Sequence, residues 1–127
     1  MLTKSKNIQA TEEAYLGFTQ GNLEPLFKMT HPQKASWNYF GDSDVPFTGT
    51  FKGMEGVHEF FSHMPKVTIE RFDIKSYEEK GDVIEVINDV RIVVNETGKV
   101  VEGLEKHILR FEGDKIVEQN IYPPGKY

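Results

Sequence analysis

Apolar positions recur every three or four residues early in the chain and every second residue later. Ile8, Thr11, Tyr15 and Phe18 fall on one face of a helix, which Gln20-Gly21 stops. Asn22 suits an N-cap, with Glu24 and Pro25 in the first turn, and Leu23, Leu26 and Phe27 give a second, short helix its apolar side. His31-Pro32 ends it, because the residue before proline is pushed out of the helical region. Ala35–Phe40 alternates Trp37 and Tyr39 with polar positions and reads as a short strand, followed by a turn-rich loop over 41–46. Val57, Phe60, Phe61 and Met64 define a third helix over Gly53–Met64.

The last half reads as sheet. Val67–Glu78, Val83–Asn95, Val100–Glu112 and Lys115–Tyr122 are rich in Val, Ile, Phe and Tyr, and Lys80-Gly81-Asp82, Glu96-Thr97-Gly98 and Gly113-Asp114 separate them as hairpin turns. Short connections require antiparallel pairing. The expectation is one α+β domain over residues 1–127: three N-terminal helices packed in a strongly curved antiparallel sheet.

Strand parity predicts what faces the interior. Leu109 and Phe111 oppose Lys106 and Arg110, so Glu105 and His107 share the inward face of their strand. In the strand before it, Ile84, Val86, Val90, Ile92 and Val94 form the apolar set, with Asn88 as its polar member.

Four short motifs, in order, carry a resemblance across about Asn7 to Tyr122. They are Tyr15 with Gly21-Asn22-Leu23, then Trp37 followed by Gly41, then Thr48-Gly49-Thr50-Phe51-Lys52-Gly53-Met54-Glu55-Gly56-Val57, and finally Leu109-Arg110-Phe111-Glu112-Gly113-Asp114-Lys115-Ile116-Val117. The chain resembles the SnoaL-like and ketosteroid-isomerase-like families of the nuclear-transport-factor-2-like superfamily. That resemblance implies a cone-shaped fold in which a bent sheet wraps the helices around a pocket, and a homodimer. The superfamily includes isomerases, cyclases, dehydratases, epoxide hydrolases and plain binding proteins, so fold alone does not give function.

Aligned on Arg110-Phe111, His107 takes the place where ketosteroid isomerases hold an oxyanion-binding aspartic acid. The resemblance puts the general-base position on Asn38, and the oxyanion tyrosine on Ala14, one residue from Tyr15. The last strand, where the cyclases carry an aspartate, offers Glu118, Asn120 and Tyr122 instead. An imidazole titrates near working pH and can serve as acid or base. The candidate catalytic residues are therefore His107, Asn38 and Tyr15, and the candidate ligand-binding residues are Trp37, Tyr39, Phe61, Asn88, Glu105 and Asn120. A plain alternative for His107 is a buried imidazole bonded to Glu105, Tyr15 or a backbone carbonyl. Asp42 and Asp44 sit on a loop beside the expected cavity mouth.

Composition narrows the partners. The chain has 127 residues, no cysteine, and 20 acidic against 15 basic residues. The resulting charge of −5 and the lack of a basic stripe argue against nucleic acid. No apolar run after Met1 reads as a leader, and no stretch is long and apolar enough to span a membrane. A cytoplasmic location is the expectation. His58 and His63 stand about 140° apart around a helix and cannot share one ion, so neither metal nor cofactor is expected.

Three functional readings follow. The first is an acid/base enzyme of isomerase, cyclase or dehydratase type acting on a small hydrophobic carbonyl compound. The second is a non-catalytic carrier or sensor for such a ligand. The third is a dimeric protein-interaction module.

Overall fold

A computed structural model describes residues 4–127; Met1–Thr3, at the head of the segment read for a leader, lie outside the described residues. Helix α1 (Lys6–Thr19) begins at Ser5, whose Oγ accepts the Ile8 N–H at 3.0 Å. After α2 (Glu24–Met29) come two short strands, β1 (Ser36–Tyr39) and β2 (Gly49–Lys52), and then α3 (Gly53–Ser62). A 3-10 turn over Met64–Lys66 leads into β3 (Val67–Lys80), β4 (Val83–Val94), β5 (Val100–Glu112) and β6 (Lys115–Tyr122).

The α+β architecture agrees with the expectation, and two details correct it. β1 separates α2 from α3 where the sequence predicts the short strand over Ala35–Phe40, and β2 joins it there. Gly49–Lys52, read as part of the segment opening the third helix, is a strand paired antiparallel with β1. The sheet is also mixed: its order is β2-β1-β6-β5-β4-β3, and β1 runs parallel to β6. A hairpin turn dictates direction only for strands it joins, and no turn joins β1 to β6. Two ends shift as well. Leu23 rather than Asn22 occupies the N-cap of α2, and α3 stops at Ser62, before the 3-10 turn that contains Pro65.

One face of the sheet carries the core. Ile84, Val86, Asn88, Val90, Ile92 and Val94 of β4 and Glu105, His107, Leu109 and Phe111 of β5 are buried, following the predicted parity. Cross-strand register sets two rows on this face. Trp37, Gln119, Leu109 and Ile84 form one; Tyr39, Ile121, His107, Val86 and Tyr77 form the next. Ile8, Ala14 and Tyr15 of α1, Leu26 of α2, and Val57 and Phe60 of α3 join the same core. Register shifts at Ile69/Arg71 and Ile74/Ser76 bulge β3 against β4 and help curve the sheet around the helices. On the other face, Arg71 pairs with Asp89 and Glu102, and Arg91 with Glu70 and Glu102.

α3 lies close on β2, and Gly56 makes that approach possible: a Cβ there would stand 2.7 Å from the Phe51 carbonyl carbon. Backbone cannot step aside as a side-chain tip can. Gly56→Ala should therefore destabilise the protein by about 1–3 kcal/mol in urea unfolding, although alanine is the better helix former. An unchanged midpoint would show that α3 is free to shift outward.

Candidate functional site

Helices and sheet leave a cavity of about 60 Å³ between them, room for about four water molecules. Its wall is almost wholly apolar and largely aromatic, with Trp37, Tyr39, Phe47, Phe60 and Phe61 among the lining residues. Phe18, Phe61, Met64, Ile69 and Phe72, which also line it, are the ones partly open to solvent. They mark the side from which a ligand could enter.

The polar part of the wall is Tyr15, Glu105, His107 and Gln119. α1 brings in Tyr15, whose Oη lies 2.5 Å from His107 Nδ1. On the other side of the ring, His107 Nε2 lies 2.6 Å from Glu105 Oε1. With the Nε2–H donating to the carboxylate, Nδ1 is left as the acceptor for the Tyr15 O–H. Gln119 Nε2 stands 3.4 Å from both Tyr15 Oη and His107 Nδ1, and Asn88 Nδ2 lies 3.3 Å from His107 Nε2. A carboxylate, an imidazole and a phenol thus form one continuous buried chain.

Burial pushes the Tyr15 phenol well above its ordinary value, and the negative charge of Glu105 adds to the effect. Tyr39 is raised for the same reason, burial first, then Glu105 and Asp42. Tyr77 is pushed up to about 12 by partial burial and Glu12. Both Tyr15 and Tyr39 are therefore neutral donors at any physiological pH.

Of the residues singled out from sequence, Tyr15, Trp37, Tyr39, Phe61, Glu105 and His107 gather on this cavity. Asn88 stands behind it, reaching His107 from β4. Asn38 and Asn120 do not join it. They alternate with the inward Trp37, Tyr39, Gln119 and Ile121, and Asn38 Nδ2 donates to Asn120 Oδ1 at 2.8 Å. Asp42 and Asp44 are also elsewhere: Lys99 bonds both at 2.8 Å, and Lys126 bonds Asp42 at 2.6 Å. Hydrogen bonds from Lys126 and Lys99 hold the Asp42 carboxyl down at about 2. Sequence reasoning missed Gln119. The signal was there, since Val117, Gln119 and Ile121 alternate with Glu118, Asn120 and Tyr122.

No protein-family model matches the chain, and no curated protein does. Solved structures match well. A nuclear-transport-factor-2-like protein of unknown function from Burkholderia pseudomallei superposes with a TM-score of 0.80, at 24% identity over 94% of this chain and 92% of that one. TerC, crystallised with polyporic acid, gives a TM-score of 0.78 at 24% identity, again over 94% of this chain and 92% of that one. A Mesorhizobium loti protein assigned by name as a SnoaL-like polyketide cyclase gives 0.74 at 12% identity over 93% and 99%. This chain has the nuclear-transport-factor-2-like fold. No helix among the described residues is long and apolar enough to cross a membrane.

The tyrosines yield two predictions. A group whose folded pKa is raised lends stability that is complete below its unfolded value, about 10, and lost as pH rises above it. Unfolding midpoints should hold up to about pH 10 and fall beyond it, with tyrosinate absorbance from Tyr15 and Tyr39 emerging only on unfolding. A phenolate signal from either in the folded protein at pH 10 would contradict their burial. Tyr39 Oη, moreover, has no hydrogen-bond partner. Tyr39→Phe should accordingly raise stability by about 1 kcal/mol in the ligand-free protein, and a loss would reveal a partner for that hydroxyl.

Proposed function

We propose that the chain is one SnoaL-like domain that binds a small hydrophobic carbonyl-type molecule in this cavity and moves a proton to or from it. The observation that carries the reading is the buried Glu105–His107–Tyr15 chain lining an aromatic pocket. Desolvated ionisable groups in a concave apolar site are where tuned proton transfer is found. In the proposed roles, Glu105 orients the imidazole and stabilises its charged form. His107 holds the mobile proton, and Tyr15 donates to the ligand oxygen. When His107 is charged, its Nδ1–H donates to Tyr15, the phenolic proton turns toward a carbonyl in the cavity, and the unpartnered Glu105 Oε2 takes the α-proton as the enolate forms. That arrangement favours a developing enolate over a neutral ketone, which is the condition for rate acceleration. The likeness to a structure assigned as a polyketide cyclase, and to TerC crystallised with polyporic acid, is in keeping with this ligand class.

A second reading, a carrier or sensor, draws on a different observation: Glu105 is the only carboxylate lining the cavity among the described residues. Glu105 would have to orient His107 and take the proton at once, with no second carboxylate on the wall to share the two tasks. Under either reading the outer sheet face, with Leu104 at 49% and Phe40 at 44% exposure, is the surface proposed to pair two copies.

The test begins with thermal shift against steroids, aromatic polyketides including polyporic acid, terpene epoxides and short ketones. Responding ketones are then incubated in D2O, and loss of the α-proton signal is followed by NMR. Exchange should be catalysed by the native protein and drop about 100-fold or more in His107→Ala. Binding without exchange would leave the carrier reading, and no response to any compound would remove the pocket from consideration.

A further inference from the structure

Four buried polar groups on residues lining the aromatic cavity have no partner among the protein's own atoms. They are Trp37 Nε1–H, Tyr39 O–H, Glu105 Oε2 and Gln119 Oε1. None of the four residues is more than 3% exposed. Nearly every buried polar group in a folded protein finds a partner, and each one left bare costs stability. Arg71 Nε and Asn88 Oδ1 are also unpartnered, but their residues do not line the cavity. The concentration at one place needs an explanation, and packing gives none.

The four groups are neighbours by register. Trp37 faces Gln119 across the β1–β6 pair, and Tyr39 lies two residues further along the same face. Tyr39 shares a row with Ile121 and His107, and Glu105 precedes His107 by two positions along β5. β1 therefore supplies two donors, while β5 and β6 supply two acceptors. Both Glu105 and Tyr39 line the same cavity wall.

We infer that the cavity takes a compact, neutral hydroxy-carbonyl compound. Its carbonyl oxygen accepts from Tyr39 O–H together with the Tyr15 phenol, with Trp37 N–H beside them; its hydroxyl donates to Glu105 Oε2 or Gln119 Oε1, and its ring lies among Phe47, Phe60 and Phe61. This rests on reading the cavity as a ligand site and adds the functional groups the ligand must carry. A hydrocarbon leaves all four groups bare. A simple ketone answers the donors and leaves both acceptors empty. A carboxylate brings no proton to Glu105 and sets a second negative charge beside it. A hydroxyl paired with a carbonyl answers both kinds. Size sets the other limit: about 60 Å³ is less than a benzene ring needs, rings of that size being held in cavities of about 150 Å³, so even a single-ring ligand must push aside the partly exposed Phe18, Phe61, Met64, Ile69 and Phe72.

The test uses three single-ring probes of similar bulk against the full chain, with affinities from calorimetry or NMR titration. 3-Hydroxyacetophenone carries both groups, acetophenone only the carbonyl, and 3-ethylphenol only the hydroxyl. The hydroxy-ketone should bind at least about tenfold more tightly than either partial match, the effect of one added hydrogen bond to a charged acceptor. Tyr39→Phe keeps the ring in place and should weaken both ketones several-fold while leaving 3-ethylphenol unchanged. Equal affinity for all three probes, or ketone binding indifferent to Tyr39→Phe, overturns the inference and leaves the cavity a plain apolar site. Failure of all three to bind at millimolar concentration overturns the ligand-site reading itself.

Discussion

Moving a carboxylate from water into a wall of phenylalanine rings is strongly unfavourable unless another group takes up its charge and its hydrogen bonds. Strand alternation leaves Glu105 nowhere else to go. Leu109 and Phe111 must face the core, and residues two and four positions before Leu109 share their face. His107, spaced two residues from Glu105 on that face, is placed to donate to Oε1. Tyr15 then closes on the far nitrogen of the same ring, so the docking of α1 against β5 is fixed by a polar contact at a defined point. An apolar seam would tolerate sliding by a fraction of a turn. This hydrogen-bonded chain does not.

The same constraint explains what could be read from the sequence. Parity on β4 and β5 was legible because each has a clean apolar set, and it brought Asn88, Glu105 and His107 inward together. β6 was harder. Ile116 and Val117 are both buried, next to a register shift between Arg110 and Phe111, so alternation there restarts partway along the strand. Ile116 starts the opposite parity and made Asn120 look like the inward residue, although Val117, Gln119 and Ile121 alternate cleanly beyond it. β2 was illegible for another reason. It is four residues long, only Phe51 of it is buried, and it runs straight into α3, so its pattern is absorbed into the helix. The parallel β1–β6 contact had no local signal at all, because pairing between distant segments is decided by tertiary packing.

Aromatic packing shapes the remainder of the interior. Phe60 meets Trp37, Phe47, Phe51 and Phe61 at centroid distances from 5.0 to 6.2 Å, mostly edge to face. Edge-to-face rings are rigid and held at fixed angles, so their edges define the wall beside them. A cavity in this position is a consequence of that choice of residues. The unpartnered Trp37 and Tyr39 groups follow the same logic, since phenylalanine at either position would spare the protein a buried orphan. Retaining groups that destabilise the empty fold is the pattern expected where stability has been exchanged for binding.

Where a proton-accepting group could reside is the point on which fold likeness and local geometry part. Counting along the motifs assigns the base position of ketosteroid isomerases to Asn38, an amide that cannot take a proton from carbon. The fold then places Asn38 on the face away from the cavity, bonded to Asn120, with Trp37 and Tyr39 facing inward on either side of it. Neither an amide nor its aromatic neighbours can replace a carboxylate there. On α1, by contrast, both Ala14 and Tyr15 line the cavity, so a displacement of one residue still delivers a phenol. A helix tolerates such a shift because adjacent residues are about 100° apart and can share a broad concave wall, whereas a strand turns adjacent residues to opposite faces. In the proposed function the base therefore comes from β5, where Glu105 has one oxygen on His107 and the other without a partner among the protein's own atoms.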